Sequence, residues 1–290
     1  MPDPLVTVVV TTWNRSGLLA ETMRSILAQT FRDFELVVVD NESQDDTAEV
    51  VAALGDPRVR YLRHANGGVI AVNRNVGIAE ARGSYVAFCD DDDLWEPEKL
   101  SVQTGFMEGH ADYVMCCGNM LDFGDGRTYG WMVPHRGDRD VDRGTLLEGW
   151  HPARLSTVLA RRGVLEDVRF REDPSLRSVE DYDLYLRLSG VGRIRFIDRV
   201  LGRYRIHAGS ASHSDLRDVI AKERIVLAVE RDAGSLSEAE YAQGMANLAR
   251  NHRRASVKQA IKRVSWTKPL YYRLRSVLWR LTHRARTEPR

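Results

Sequence analysis

The chain has 290 residues, 43% of them hydrophobic and 29% charged, with a formal net charge of +1. That length and apolar content support a substantial core, in one large domain or one domain with an appendage, and exclude a disordered chain. The near-zero charge is segregated: from Arg253 onward twelve Lys or Arg stand against one acid, Glu288, which leaves 30 bases and 40 acids for the first 252 residues.

The start, Met1-Pro2-Asp3-Pro4, has no basic n-region, and no apolar stretch approaches the ~20 residues that span a bilayer, so a cytoplasmic protein is expected. Val6 to Val10 is a β-branched run without polar alternation, the pattern of a strand buried on both faces of a parallel sheet. Ser16 is placed to cap a helix from about Leu18 to Gln29, and Glu35 to Val39 repeats the buried-strand pattern. Asp45 or Asp46 starts a helix through Leu54, Asp56-Pro57 turns, and Val59 to Arg63 is a third strand. Ile70 to Ala81 reads as a helix and Tyr85 to Cys89 as a fourth strand. Strands separated by helices of this length predict a parallel sheet with right-handed crossovers.

Beyond residue 95 the rhythm loosens. Glu98 to about His110 reads as a helix, Tyr113 to Cys117 as a strand, and Gly124 to Gly144, with Trp131 and His135, as a turn-rich, substrate-facing loop. Ser156 to Ala160 is expected as a strand, Asp181 to Ser189 as a helix, and Ile194 to Ile197 and Val200 to Tyr204 as two strands. Leu216 to about Asp232 and Glu238 to about Arg254 are expected as helices. Cys89, Cys116 and Cys117 lack the spacing of a zinc site and suit buried reduced thiols.

The chemistry concentrates at strand ends. Asp90-Asp91-Asp92-Asp93 closes the fourth strand, and clustered carboxylates at the rim of an open sheet call for something cationic, such as Mg²⁺ or Mn²⁺ shared with substrate phosphates. The alternative is an acidic turn capping the helix that starts near Pro97. Thr11-Thr12-Trp13-Asn14-Arg15 and Asp40-Asn41-Glu42-Ser43 follow the first two strands; an aromatic ring there can stack on a nucleobase and Asp or Asn can bond a base or ribose. Otherwise Trp13 is a core residue and Asp40-Asn41 a turn. Arg74, beyond Asn66-Gly67-Gly68, suits a diphosphate through charge-assisted bonds, or is a solvated helix residue.

Together, Val8-Val9-Val10-Thr11-Thr12-Trp13-Asn14-Arg15, the stretch from Ser25 to Asp40, Asn73-Arg74-Asn75 with Gly77, Asp90-Asp91-Asp92-Asp93-Leu94-Trp95, Glu180-Asp181-Tyr182-Asp183-Leu184 and Tyr204-Arg205-Ile206-His207 resemble family 2 of the inverting glycosyltransferases with the GT-A fold. The resemblance covers roughly residues 5 to 212. It implies an α/β fold with a mixed, mostly parallel, Rossmann-like sheet flanked by helices. The domain would span 1–215, with a nucleotide-binding half to about 95 and an acceptor-binding half from 96, before a helical basic extension over 216–290. It also implies that Thr11, Thr12, Trp13, Asn14, Asp40, Asn41, Arg74, Asp90 and Asp91 surround a nucleotide-sugar donor. By the same resemblance Asp90, Asp92 and His207 hold Mn²⁺ or Mg²⁺, and Asp181 is the catalytic base. Asn41 departs from the Asp often found at its place, where an amide oxygen could still accept a base N–H, so UDP, dTDP and GDP donors all stay open. Trp95, Trp131 and Trp150 are candidates to stack on the acceptor, a glycan or lipid-linked saccharide.

In the tail, Leu270, Leu274, Val277, Leu278 and Leu281 form an apolar stripe beside bases, with Trp266, Tyr271, Tyr272 and Trp279 among them. That suits contact with an anionic membrane surface; packing on the chain's own domain or in a homodimer is the alternative, and nucleic acid a remoter one. Rival functions are sugar-phosphate nucleotidyl transfer, which would call for a Gly-rich, Arg/Lys-containing loop after the first strand, and a nucleotide-sugar-binding scaffold without transfer.

Overall fold

The structure, a computed structural model, describes residues 3–124, 127–131, 137–148, 154–207 and 216–264. The β-branched runs form strands where the sequence places them. β1 (Val6–Thr12) and β2 (Phe34–Asp40) are buried at every position, β3 (Val59–Arg63) forms the edge, and β4 (Tyr85–Asp90) lies on the other side of β1. All four run parallel, joined through α1 (Ser16–Leu27), α2 (Thr47–Ala52) and α3 (Ile70–Ala79). Parallel strands bring all their C-terminal ends to one edge, so the segments after Thr12, Asp40, Arg63 and Asp90 meet there.

The second half builds on differently. β5 (Leu94–Trp95) and α4 (Lys99–Gly109) follow the acidic run, and β6 (Tyr113–Gly124) and β10 (Arg193–Arg205) form a parallel pair. β9 (Leu159–Arg161) is inserted antiparallel between β4 and β6, giving the order β3-β2-β1-β4-β9-β6-β10-β5. β7 (Arg127–Trp131) pairs with β6 and β8 (Arg139–Asp140) with β10, and the short helices α5 (Arg143–Leu147) and α6 (Arg162–Asp167) come before and after β9 in the chain. The sheet is thus mixed rather than wholly parallel.

Alternation along β1 splits the core in two. Val6, Val8 and Val10 pack with Leu19, Met23 and Ile26 of α1 and Leu100 and Met107 of α4. Val9 faces the other layer, with Ala71 and Ile78 of α3 and Leu184 and Tyr185 of α7 (Glu180–Leu188). That layer also contains Ile220, Val226 and Leu227 of α8 (Leu216–Asp232) and Leu248 of α9 (Glu238–Val264), so the core continues across residue 215. Each buried Leu or Ile contributes about 1.5–3 kcal/mol relative to exposure. Gly83 marks a close approach of two backbones: a Cβ there would stand 2.6 Å from the Thr7 backbone nitrogen.

Several local expectations are corrected. Ser16 is the first helical residue of α1 and not its cap; its N–H is taken by Asp45 Oδ2 from the next loop at 3.0 Å. Ser156 lies in a 3₁₀ turn (Leu155–Thr157), with the strand beginning at Leu159. The two strands expected near Ile194 and Val200 are one, β10, interrupted by bulges. The bulge is held by its polar residues: Asp198 N donates to Asp138 Oδ1 at 2.8 Å, and Asp198 Oδ2 accepts from Gly137 N at 2.6 Å. The acidic run caps no helix, since α4 is preceded by Glu98. Cys89, Cys116 and Cys117 are buried and free. Among the described residues no helix is long and apolar enough to cross a membrane. The tail stripe from Trp266 to Leu281 lies outside them.

Candidate active site

The loops after β1 and β2 form one tied rim. Asn41 N donates to Thr12 O at 2.9 Å, Asn14 N to Ser43 Oγ at 2.8 Å, and Gln44 N to Asn14 Oδ1 at 2.7 Å. Asn14 (φ 51°) and Glu42 (φ 55°) both take the left-handed conformation, which costs energy and persists only where the surroundings impose it. Trp13 is 59% exposed above this rim, so it is not a core residue. Thr11 is buried. Asp40 lies fully buried beneath the rim, where its carboxylate accepts from Ser43 Oγ (2.5 Å) and the Tyr61 hydroxyl (2.6 Å). It therefore shapes the loop from below. Asn41 Oδ1 accepts the Asn66 N–H at 2.8 Å, so the oxygen considered for a base N–H is already engaged.

The acidic run divides by alternation. Asp91 accepts from Thr12 Oγ1 at 2.8 Å and Arg15 Nη1 at 3.0 Å; burial pushes its carboxyl up to about 6 despite Arg15. Asp93, fully buried, accepts from Ser156 Oγ (2.6 Å) and Arg205 N (3.0 Å), and burial with the charges of Asp90 and Asp92 holds it well above the carboxylate range. These two tie the loop down, Asp91 to the loop after β1 and Asp93 to Ser156 and the end of β10. Asp92 Oδ2 stands 3.0 Å from both Arg15 Nη1 and His207 Nε2, joining the acidic loop to the end of β10. Asp90 is the most open, its side chain 37% exposed, with burial as the leading cause of its raised pKa.

Arg74 reaches the same rim from α3. Its buried guanidinium donates to Glu180 Oε1 (2.6 Å) and Asp90 Oδ1 (3.2 Å) and lies 5.4 Å from the Phe170 ring centroid. The structure therefore brings Arg74, Asp90, Glu180 and Asp181 together. Asp181, partly buried at the start of α7, accepts from Tyr182 N at 2.8 Å. Burial first, and then the charge of Glu180, push its carboxyl up to about 7, against Arg74. Beside this group, Gly68 to Ala71, Asp173, Pro174, Arg177 and Glu180 line a shallow recess of about 10 Å³. Glu180 Oε2 is buried and has no hydrogen-bond partner among the described residues.

Sequence reasoning missed Arg15 and Glu180 as members of the site. Arg15 follows β1 directly, a position that signals the rim, but the Arg74–Glu180 pair joins residues 106 positions apart and leaves no local trace. Trp95 is corrected: it is buried, with Nε1 donating to Ser156 O at 2.8 Å and Lys99 Nζ 3.9 Å from its ring centroid. His135, Trp150, Ser210, Ser212 and His213 lie outside the described residues, as does the side chain of Trp131.

A divalent cation is compatible with part of this donor set. Among the described residues no group of three His, Cys, Asp or Glu stands ready to hold an ion. Asp90, Asp92 and His207 nonetheless offer hard oxygen and imidazole donors on one rim, and the crowding of these carboxylates is what a cation would relieve.

Known proteins are similar across most of this architecture. The family described as "Glycosyl transferase family 2" matches residues 7–169. An uncharacterized glycosyltransferase of Rickettsia felis is 30% identical over 214 residues, covering 73% of this chain and 35% of the relative, so the chain spans about a third of that protein. The Escherichia coli UDP-Glc:alpha-D-GlcNAc-diphosphoundecaprenol beta-1,3-glucosyltransferase WfaP is 27% identical over 226 residues, 78% of this chain and 86% of the relative. Among solved structures, S. aureus TarS 1-349 in complex with UDP-GlcNAc superposes with a TM-score of 0.69 at 24% identity, over 87% of this chain and 72% of TarS 1-349. The Pyrobaculum calidifontis mannosyltransferase PcManGT, in complex with GDP-Man and Mn2+, gives 0.60 at 17% identity, over 97% and 83%. These two likenesses establish the GT-A-like fold.

Proposed function

Because the chain belongs to glycosyl transferase family 2 and is a glycosyltransferase, we propose that it moves a sugar from a nucleoside diphosphate to a hydroxyl of a glycan or lipid-linked saccharide, with inversion and with a divalent cation. The observation that carries this reading is the convergence of Arg74, Asp90, Glu180 and Asp181 at the carboxyl edge of the sheet.

In this account Trp13, exposed beside Asn41, is the shelf for the base, and Arg74 binds the diphosphate, its charge opposing the negative charge that grows as the sugar leaves. Glu180 Oε2, buried and without a hydrogen-bond partner among the described residues, is free to accept from a hydroxyl of the sugar. Asp90, Asp92 and His207 would hold Mn²⁺ or Mg²⁺, which when bound adds charge neutralisation at the diphosphate. Asp181 takes the proton of the attacking acceptor hydroxyl, a role that its carboxyl, raised toward neutrality, performs in its ionised form. A UDP donor and a lipid-linked acceptor are supported by similarity to WfaP, whose name states both. The basic tail gives a reason for such an acceptor to be met at an anionic membrane.

The test is equilibrium binding of UDP, dTDP and GDP compounds, with and without Mn²⁺, to the wild-type protein and Asp92→Ala. Metal-dependent, base-selective binding that weakens in the variant is expected. A folded protein that binds no nucleotide would remove the transfer reading and the nucleotide-sugar-binding scaffold with it.

A further inference from the structure

The segment carrying Glu180 and Asp181 is not capped by its own residues. Ser178 sits at φ 75°, in the left-handed region, and Val179 precedes α7 without a side-chain cap. A non-glycine residue stays in that conformation only when something outside holds it.

Helix α8 supplies the hold. Near its start, Lys222 Nζ donates to the Arg177 carbonyl at 3.1 Å. Two turns on, Glu230, 1% exposed, accepts from Arg171 Nη2 at 2.7 Å. The other arm of Arg171 reaches Asp183 Oδ1 at 2.6 Å, two residues beyond Asp181, and Asp183 is fully buried. Arg187 Nη2 closes the figure on Asp183 Oδ2 at 2.6 Å, and Ser235 Oγ donates to Glu230 Oε2 at 2.5 Å. Ile220, Val226 and Leu227 fill the same core as Val179, Tyr182 and Leu184. Between the two polar ties lies Glu223, also buried, whose carboxyl is pushed up to about 7 by burial and then by the charge of Asp181.

Buried charges are retained only where they are paired, and this pairing fixes direction as well as distance, because a guanidinium fork meets two carboxylates at once. We propose that Glu230 of α8, acting through Arg171 on Asp183, is a positioning residue for Asp181, so that α8 is a working part of the catalytic site. The inference rests on the transfer reading for the role of Asp181, and on the ionic bridge alone for the hold on the segment.

The test compares wild type, Glu230→Gln and, as a control in the other core layer, Ile26→Val. Amide hydrogen exchange is followed without any ligand, alongside hydrolysis and binding of UDP-, dTDP- and GDP-linked hexoses with Mn²⁺. Glu230→Gln is expected to speed exchange over residues 178–183 at least threefold, to slow hydrolysis at saturating donor at least tenfold, and to leave donor affinity within twofold. Unchanged exchange over 178–183, or the same acceleration in Ile26→Val, would overturn the proposal whatever the protein transfers. Faster exchange with hydrolysis at the wild-type rate would overturn it equally, because the segment would then be held without consequence for the base. If wild type neither binds nor hydrolyses any of these donors, the transfer reading fails, and the hold of α8 on the segment is decided by exchange alone.

Discussion

The two halves of the sheet reach the same rim by different means. Through Asp90, each strand is followed by a helix and returns parallel to its neighbour, so rim residues arrive from successive loops of one repeated unit. Beyond it, β9 is inserted antiparallel and β6 pairs with β10 from far along the chain, so Glu180, with Asp181 next to it, and His207 arrive through long-range ties to Arg74 and Asp92. The lesson is that the first half of the rim is built by local pattern and the second by distant charge pairing.

If the first half is that tightly determined, one methyl group at its closest approach to backbone should break it. Gly83→Ala puts a Cβ against the Thr7 and Val6 backbone, which cannot rotate away. A loss of about 3 kcal/mol is expected by chemical denaturation, and a loss under 0.5 kcal/mol would mean the approach is looser than described. On the rim of that half the reverse holds. Trp13→Ala should leave stability within about 0.5 kcal/mol, because the ring is 59% exposed. It should also weaken nucleotide binding ~10-fold, about the contribution of one base stacked on an aromatic ring. Calorimetry on the same sample reads both.

The junction between the halves yields the smallest effect. Lys99 is fully buried, donating to Gln103 Oε1 at 2.6 Å, and burial pulls its pKa down to about 7. Between about 7 and the ordinary lysine value of 10.5, the unfolded chain holds a proton that the folded one has released. Stability therefore rises with pH across that window and has no slope from this group below it, where both states are protonated. Lys99→Met should abolish that rise and lift Tm at pH 6 by ~2–4 °C, equivalent to about 1 kcal/mol. A Tm that falls at pH 6 would show that the ammonium over Trp95 contributes more than its burial costs.

This contrast also explains what could be read from sequence. Val59–Arg63 and Leu216–Asp232 are found where their patterns place them, because a short run with Val, Tyr and Leu between turns, and amphipathic spacing, act locally. Asp198-Arg199 reads as a break between strands but is a bulge, stabilised by Asp138 and Gly137 from a loop 60 or so positions earlier. Ser156 reads as strand but turns, its hydroxyl donating to Asp93 Oδ2 and accepting the Asp90 N–H. In the site, the acidic run was legible as a cluster in need of cations. That Arg15 and Arg74 supply two of them, and that Asp91 and Asp93 face inward, depends on packing that no spacing in the chain records.

The central claim is that α7 delivers the base to a donor site it does not itself build. Replacing Asp181 by Asn keeps the size of the side chain and removes its ability to take a proton. Single-turnover transfer, measured with the donor and acceptor of the wild-type reaction, should fall ~10²–10⁴-fold, while donor affinity measured alongside stays within twofold. Transfer surviving near the wild-type rate, or donor binding lost together with it, would contradict the account.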